Sequence, residues 1–180
     1  MSVQGRQKIV LLTISRLRNG SADSGGAICC YNSSSLTVTD CRFSGNSANE
    51  YGGVIYCSTN ASVTLNNCIL WGNSAGKSGN EIYIYDSGSS CTLNHCCVDS
   101  TGYGGHTGNI TENSCIHSDP QFVNAGNGDL HLQDTSPCID AGDNGLVPGG
   151  VDKDLDGNKR IVDGNNDGTG TVDIGAYEKQ

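Results

Sequence analysis

Basic residues are scarce in this chain of 180 residues. Lys and Arg number 10 against 19 Asp and Glu, which leaves a formal net charge of −9 at pH 7. Nucleic acids and anionic membranes recruit proteins through clustered positive charge, so we expect neither as a partner. The acidic residues are concentrated near the C-terminus, where residues 140–178 carry nine of them. That local density predicts bound cations as well as solubility.

Long apolar runs and large aromatic side chains are also missing. No segment of 18 residues is apolar throughout, which excludes a membrane-spanning helix. The short apolar run at residues 9–14 lacks a cleavage site and is not a secretion signal. Trp, Phe and Tyr make up 6% of the residues, whereas glycine occurs 26 times. With no helical spacing of apolar residues, this composition is typical of a turn-rich β protein.

What the sequence does contain is a repeat of about 27 residues. The glycine- or asparagine-containing segments 25–28, 52–55 and 79–82 follow one another at steps of 27. Within each repeat the apolar residues alternate as in a β-strand, and one polar residue interrupts the alternation. The interrupting residues are Asp40, Asn67 and His95. The fixed period predicts a stacked array with one corner at each of these residues.

Short strands within a repeat and no hairpin signal predict an all-β fold, a right-handed parallel β-helix. Each coil rises by one strand spacing, about 4.8 Å, so equivalent residues stack on one another. We expect coils over residues 1–98, a connector loop over 99–118 and a short irregular acidic cap over 119–180 that covers the last coil. The array is already under way near residue 12, and we expect the chain to be a fragment of a larger protein.

Ten cysteines are present, and most of them occupy positions that alternation turns towards the inside of the coils. The inward cysteines are Cys30, Cys41, Cys57, Cys68, Cys91 and Cys96. Buried cysteine behaves as a small apolar residue, so we interpret them as core filling. Cys115 and Cys138 lie outside the repeats, and disulfide pairing stays open.

The segments 25–28 (GGAI) and 43–46 (FSGN) have weaker copies at 52–55 and 70–73. These segments are similar to the GGAI and FxxN repeats of chlamydial polymorphic membrane proteins, and the resemblance covers about residues 20–98. It implies a surface β-helix used in adhesion.

The C-terminal part carries a second series of motifs. In order, these are 118–122 (SDPQF), 128–132 (GDLHL), 136–142 (SPCIDAG), 154–160 (DLDGNKR) and 172–178 (VDIGAYE). The series resembles the terminal region of bacterial β-helix proteins that carry choice-of-anchor Q domains, over about residues 115–178. The resemblance implies a secreted or surface-attached bacterial protein, so we expect an extracellular or cell-surface location.

The acidic region contains a spacing that suits calcium. Oxygen-bearing residues stand at positions 1, 3, 5, 7 and 12 of a loop whose sixth residue is glycine, as in calcium loops. They are Asp152, Asp154, Asp156, Asn158 and Asp163, and a second set begins at Asp163 and includes Asp167. Without flanking helices an EF-hand is not expected. Two interpretations stay open, a structural calcium site and tight turns for which Asp, Asn and Gly are simply suitable.

A tyrosine strip is the candidate binding surface. Tyr83 and Tyr85 flank Ile84 and therefore share one face of a strand, and Tyr56 stands one coil earlier. An aromatic strip of this kind predicts stacking against sugar rings, and ordinary surface packing is the alternative.

Catalytic residues are harder to place. Hydrolysis of a glycosidic bond needs two facing carboxylates, and the repeat register separates Asp40 from Glu81. Arg16 and Arg42 stack one coil apart, and we interpret them as solvated surface charge. We therefore expect a non-catalytic extracellular bacterial module for surface binding or adhesion, with a polysaccharide or a surface protein as its partner. A polysaccharide-active lyase or hydrolase and a structural stalk stay open as alternatives.

Overall fold

A computed structural model describes the backbone of Ser2–Val3 and of residues 9–180, together with the side chains from Ser15 onward. The described residues form β-strands and short 3-10 helices, without an α-helix. The coil strands are β1 (Ser2–Val3), β2 (Ile9–Arg18), β3 (Ser21–Ser24), β4 (Ile28–Cys30), β5 (Ser35–Ser44), β6 (Ser47–Tyr51), β7 (Ile55–Cys57), β8 (Ser62–Asn66), β9 (Ile69–Leu70), β10 (Ser74–Ala75), β11 (Ile82–Ile84), β12 (Ser90–Asn94), β13 (Cys97–Val98), β14 (Tyr103–Gly105) and β15 (Ile110–Asn113). The remaining strands are β16 (Phe122–Asn124) and β17 (Asp129–Leu132), and the 3-10 helices are Ser100–Gly102, Thr107–Asn109, Ala125–Asn127 and Asn144–Leu146.

Three parallel sheets form the walls of a solenoid. One contains β1, β4, β7, β11 and β14, a second contains β3, β6 and β10, and the largest contains β2, β5, β8, β9, β12, β13 and β15. Each strand pairs with its equivalent in the neighbouring coil, as when Ile55 lies between Ile28 and Ile82. The predicted parallel β-helix and its period of about 27 residues are thus confirmed. No helix in the described part of the chain has the length and apolarity that crossing a membrane requires.

The predicted corners are left-handed turns of the backbone. Asp40, Asn67 and His95 have φ angles of 56°, 47° and 48°. Asn and Asp tolerate this conformation better than other non-glycine residues because their short polar side chains hydrogen-bond locally. Asn67 Nδ2 donates to Asp40 Oδ1 over 3.1 Å, so the corner side chains also bond from coil to coil.

The core of the solenoid is made of inward columns, and the cysteines belong to them as predicted. The six inward cysteines are fully buried, together with Phe43, Leu65 and Leu93. All ten cysteines are free thiols. The Cys115 thiol continues the column through a hydrogen bond with the Cys96 thiol, whereas the Cys138 thiol hydrogen-bonds with that of Cys97 on the outside of the coils. Cys115 and Cys138 therefore have different partners.

A ladder of buried polar side chains lines one bend of the coils. Asn46 Nδ2 donates to Asn73 Oδ1 over 3.0 Å, and Asn73 Nδ2 donates to Glu81 Oε2 over 2.7 Å. Glu81 occupies the place of an apolar residue, since the equivalent position in the preceding coil is Val54. Its side chain is buried at the end of the ladder, and burial raises the pKa of Glu81 to about 7.

The segment 99–118, expected as a connector, instead adds strands to the solenoid. β14 pairs with β11, and β15 pairs with β12. Tyr103 and Glu112 stand in register with the core residues Ile82 and Leu93 and therefore face inward. Tyr103 donates its hydroxyl hydrogen to Glu112 Oε1 over 2.5 Å. An inward acid at the last strand discourages further strand pairing at this end.

Residues 119–180, here named the strap, pack along the flank of the solenoid. The outward column of this flank runs across successive coils through Arg16, Arg42, Ile69, Cys97 and Ile116. A hydrophobic cluster joins this column to the strap, and its buried members are Ile69, Cys97, Leu132, Cys138 and Ile174. The irregular C-terminal region is thus present as expected, but its contacts lie on the side of the coils and not over the last one.

Two buried arginines connect the strap to the coils. Arg160 of the strap places Nη2 2.9 Å from Asp40 Oδ1 and Nη1 2.5 Å from Glu178 Oε1. Arg42 of β5 donates Nη2 to the carbonyl of Tyr177 over 3.0 Å. The interpretation of Arg42 as solvated surface charge is wrong, because the strap buries it completely. Burial raises the pKa of Asp40 to about 6, although Arg160 acts in the opposite direction.

Glu81→Gln is expected to change how stability depends on pH. With its folded-state pKa raised to about 7 from an ordinary 4.5, Glu81 holds its proton more tightly in the folded protein than in the unfolded chain. The contribution of Glu81 to the free energy of unfolding is therefore complete below about pH 4.5 and is lost as the pH rises through about 7. Between pH 5 and pH 8, denaturant unfolding should show the wild type losing about 2.5 kcal/mol relative to Glu81→Gln. Identical pH profiles would contradict the raised pKa, and Glu50→Gln, a change at a half-buried surface carboxylate, is the control.

Glu112→Leu is expected to cause association. Glu112 is the exposed inward residue of the last strand, so an apolar side chain there would extend the core to an open strand edge. Light scattering at increasing protein concentration should show a rising apparent mass. Thr111→Leu adds the same side chain on the outward face and should leave the mass unchanged. Equal association of both variants would show that the end of the core is not the cause.

Candidate ligand-binding site

Four tyrosines cluster on the outer surface of the solenoid, Tyr51, Tyr56, Tyr83 and Tyr85, and we call this cluster the tyrosine face. The rings of Tyr56 and Tyr83 are parallel to within 1°, with centroids 6.0 Å apart. The Tyr85 ring lies 5.9 Å from Tyr56, and the Tyr51 ring lies 4.5 Å from Tyr83. The structure therefore brings together all three tyrosines that the sequence predicted and adds a fourth.

Strand alternation and register build this face. Ile82 and Ile84 are fully buried in the core, so Tyr83 between them points outward. Parallel pairing places Tyr56 beside Tyr83 in one coil and Gly104 beside it in the next. A Cβ atom on Gly104 would lie 2.8 Å from Tyr83 Cδ2, so glycine provides the room in which the Tyr83 ring packs. The face is thus held by packing on both sides of Tyr83.

Tyr51 was missed because it belongs to a different wall. It ends β6, immediately before the paired glycines Gly52 and Gly53 at which the chain turns into the next wall. Gly52 has a φ of 68°, and this left-handed turn brings Tyr51 back towards the ring of Tyr83. The sequence signal that could have predicted Tyr51 as part of the face was its position five residues before Tyr56, with the glycine pair between them.

The tyrosine face combines apolar ring surface with polar groups at its edge. Tyr85 is 58% exposed, and the other three rings are half-buried. Lys77 Nζ lies 5.2 Å from the centroid of Tyr51 and 2.6 Å from Glu50 Oε1. Burial raises the pKa of Tyr56 to about 12, so its hydroxyl remains protonated and able to donate. This arrangement provides stacking surface and hydrogen bonds.

The acids on which catalysis would depend lie elsewhere and are buried. The Asp40 carboxylate forms an ion pair with Arg160 and accepts a hydrogen bond from Asn67. The Glu81 carboxylate accepts a hydrogen bond from Asn73. Arg16 donates Nη1 to the carbonyl of Gly128 over 3.0 Å. These groups serve the packing of the coils and the strap.

In the first predicted calcium loop, backbone amides donate hydrogen bonds to the carboxylate of Asp154. Asp154 is buried, and its Oδ1 accepts the amides of Asp156 and Asn158 over 3.0 and 2.8 Å. Its Oδ2 accepts the amide of Glu178. The backbone carbonyl of Asn158, another predicted ligand residue, accepts the Asp154 amide over 2.9 Å. These contacts are those of a tight turn stabilised by an aspartate side chain.

The other predicted calcium ligands also have contacts within the protein. Asp163 accepts the amides of Asp167 and Gly168 over 3.0 and 2.9 Å. Asp156 Oδ2 lies 2.7 Å from His131 Nε2, and exposed Asp152 lines a cavity beside the loop. Among the residues that the structure describes, no group of three His, Cys, Asp or Glu side chains is arranged to hold a metal ion.

Structural calcium stays a prediction, which a titration with calcium chloride followed by the melting temperature tests. A calcium-specific rise that Asp163→Asn removes would support the site, because Asp163 belongs to both predicted sets. Magnesium chloride at the same ionic strength is the control. A melting temperature that does not change with calcium would contradict the prediction.

Comparison with known proteins agrees with this architecture. Searches of curated proteins and of solved structures each found no significant match. The family model described as "Right handed beta helix region" matches residues 2–135, a span that includes every coil strand and the antiparallel pair β16 and β17. The match extends over more than half of the chain. The chain therefore belongs to the right-handed β-helix family.

Proposed function

We propose that the chain is a non-catalytic binding module of an extracellular bacterial protein and that its tyrosine face binds carbohydrate. The observation that carries this proposal is the cluster of Tyr51, Tyr56, Tyr83 and Tyr85 on the outer surface of the solenoid. A pyranose ring has an apolar face of C–H groups that packs on a flat aromatic ring, and its hydroxyls can bond to phenolic oxygens. Parallel Tyr56 and Tyr83 offer such a surface across two neighbouring coils.

The form of the surface favours a polymer over a compact small molecule. A solenoid wall is long and shallow, and successive coils repeat its features at one strand spacing, about 4.8 Å. A ligand that lies across the coils meets Tyr56 and Tyr83 in turn, with Tyr85 at the side. Binding by several weak contacts along a chain suits surface adhesion.

The sequence resemblances support the extracellular part of the proposal. The GGAI and FxxN repeats resemble those of chlamydial polymorphic membrane proteins, which are surface adhesins. The motifs over residues 115–178 resemble choice-of-anchor Q regions of secreted or surface-attached proteins. A polysaccharide lyase or hydrolase is less well supported, because Asp40, Arg42 and Glu81 are buried in structural contacts. A structural stalk needs no tyrosine face.

The proposal is tested by measuring binding and cleavage together. The protein is incubated with a panel of neutral and acidic polysaccharides, and bound polymer and new chain ends are followed in the same wells. We expect binding without new chain ends. New chain ends that are absent from wells without the protein would show that the protein is an enzyme and not a binding module. Absence of binding across the whole panel would contradict a carbohydrate ligand.

Tyr85→Ala is expected to weaken polysaccharide binding about tenfold, since an exposed stacking ring is lost. Tyr85→Phe keeps the ring and should retain most of the affinity. Val123→Ala, a change at another exposed apolar residue, is the matched control and should bind as the wild type. Affinities are measured by titration calorimetry with the best polymer of the panel. Unchanged affinity in Tyr85→Ala would place the ligand elsewhere.

A further inference from the structure

A cavity of about 530 Å³ opens on the strap, away from the tyrosine face. Its volume lies in the range typical of small-molecule sites. Val151 and Ile161 contribute apolar wall, and Lys153 and Lys159 contribute charge. The cavity belongs to neither the coil walls nor the hydrophobic cluster beneath the strap.

The two lysines stand directly opposite one another. Lys153 and Lys159 form an antiparallel bridge, so their side chains leave the backbone on the same side. Two neighbouring backbone hydrogen bonds hold this pairing. The Asp154 amide donates to the Asn158 carbonyl and the Arg160 amide donates to the Asp152 carbonyl, each over 2.9 Å. Like charges directly opposite on paired strands repel each other and reduce stability. The repulsion is relieved when an anion lies between them.

The charge around the cavity is positive even though the chain has a net charge of −9. Arg160 also lines the cavity, but its guanidinium is committed to Asp40 and Glu178. Exposed Asp152 is the single carboxylate among the lining residues. The exposed charged residues of the lining are therefore two lysines and one aspartate, which leaves an excess of positive charge for a ligand.

We propose that this cavity binds a small organic anion. A carboxylate or phosphate group of the ligand lies between the ammonium groups of Lys153 and Lys159, which suit anions as compact point charges. The uncharged body of the ligand packs against Val151 and Ile161. The site is independent of the proposed function, because it uses none of the tyrosines.

Calorimetric titration with glucuronate, glucose 6-phosphate and glucose tests the proposal, since these three probes share one body and differ in charge. We expect at least one anion to bind while glucose does not, and the preferred anion identifies carboxylate or phosphate as the ligand group. Lys153→Gln and Lys159→Gln should each weaken binding about fivefold to tenfold. Lys179→Gln, which removes a lysine that pairs with Asp134 elsewhere on the strap, should have no effect.

Lys153→Glu separates a ligand site from a purely structural lysine pair. It places opposite charges at the bridge, so we expect a higher melting temperature together with loss of anion binding. Retained binding in Lys153→Glu would overturn the proposal. So would equal binding of glucose and the anions, an equal loss in Lys179→Gln, or no binding of either anion at millimolar concentration.

Discussion

Asp40, Asn67 and His95 hold a left-handed backbone conformation at the same place in three successive coils. Because each corner turns the chain by the same route, the strands on both sides of it meet their equivalents in register. The corner side chains also hold the strap. Asn67 Oδ1 accepts the amide of Asp143, and the side chain of Asp40 pairs with Arg160. The backbone carbonyl of Asn67 also accepts the amide of Gly175. One repeated backbone constraint thus shapes the solenoid and fixes its side layer.

The register that the corners impose also determines the surfaces. A shift of one residue would turn Tyr83 into the core and Ile82 into solvent, because alternate residues of a strand face opposite sides. Tyr56 and Tyr83 stack because the coils before and after β11 stay in register with it. The candidate site is therefore a product of the repeat and needs no loop of its own.

Periodicity was sufficient to predict the coils, the corners, the inward cysteines and the meeting of Tyr56, Tyr83 and Tyr85. It failed where the period changes. Asn94 bonds to Asn66 across 28 residues, but Asn113 bonds to Asn94 across only 19, so the last coil did not match the pattern. The burial of Arg42 depends on strap contacts that no local pattern encodes. Calcium loops and aspartate turns use the same residues, and the Lys153–Lys159 bridge becomes visible only in three dimensions.

The strap has a consequence for the order in which the chain folds. Arg42 meets its partner Tyr177 across 135 residues of sequence. During synthesis the coils leave the ribosome first, and the flank column with its apolar Ile69 and Cys97 faces water until the strap follows. Contacts so distant in sequence close slowly. The interval between coil formation and strap docking is therefore the stage at which the nascent protein is most exposed to aggregation, and the strap sets its duration.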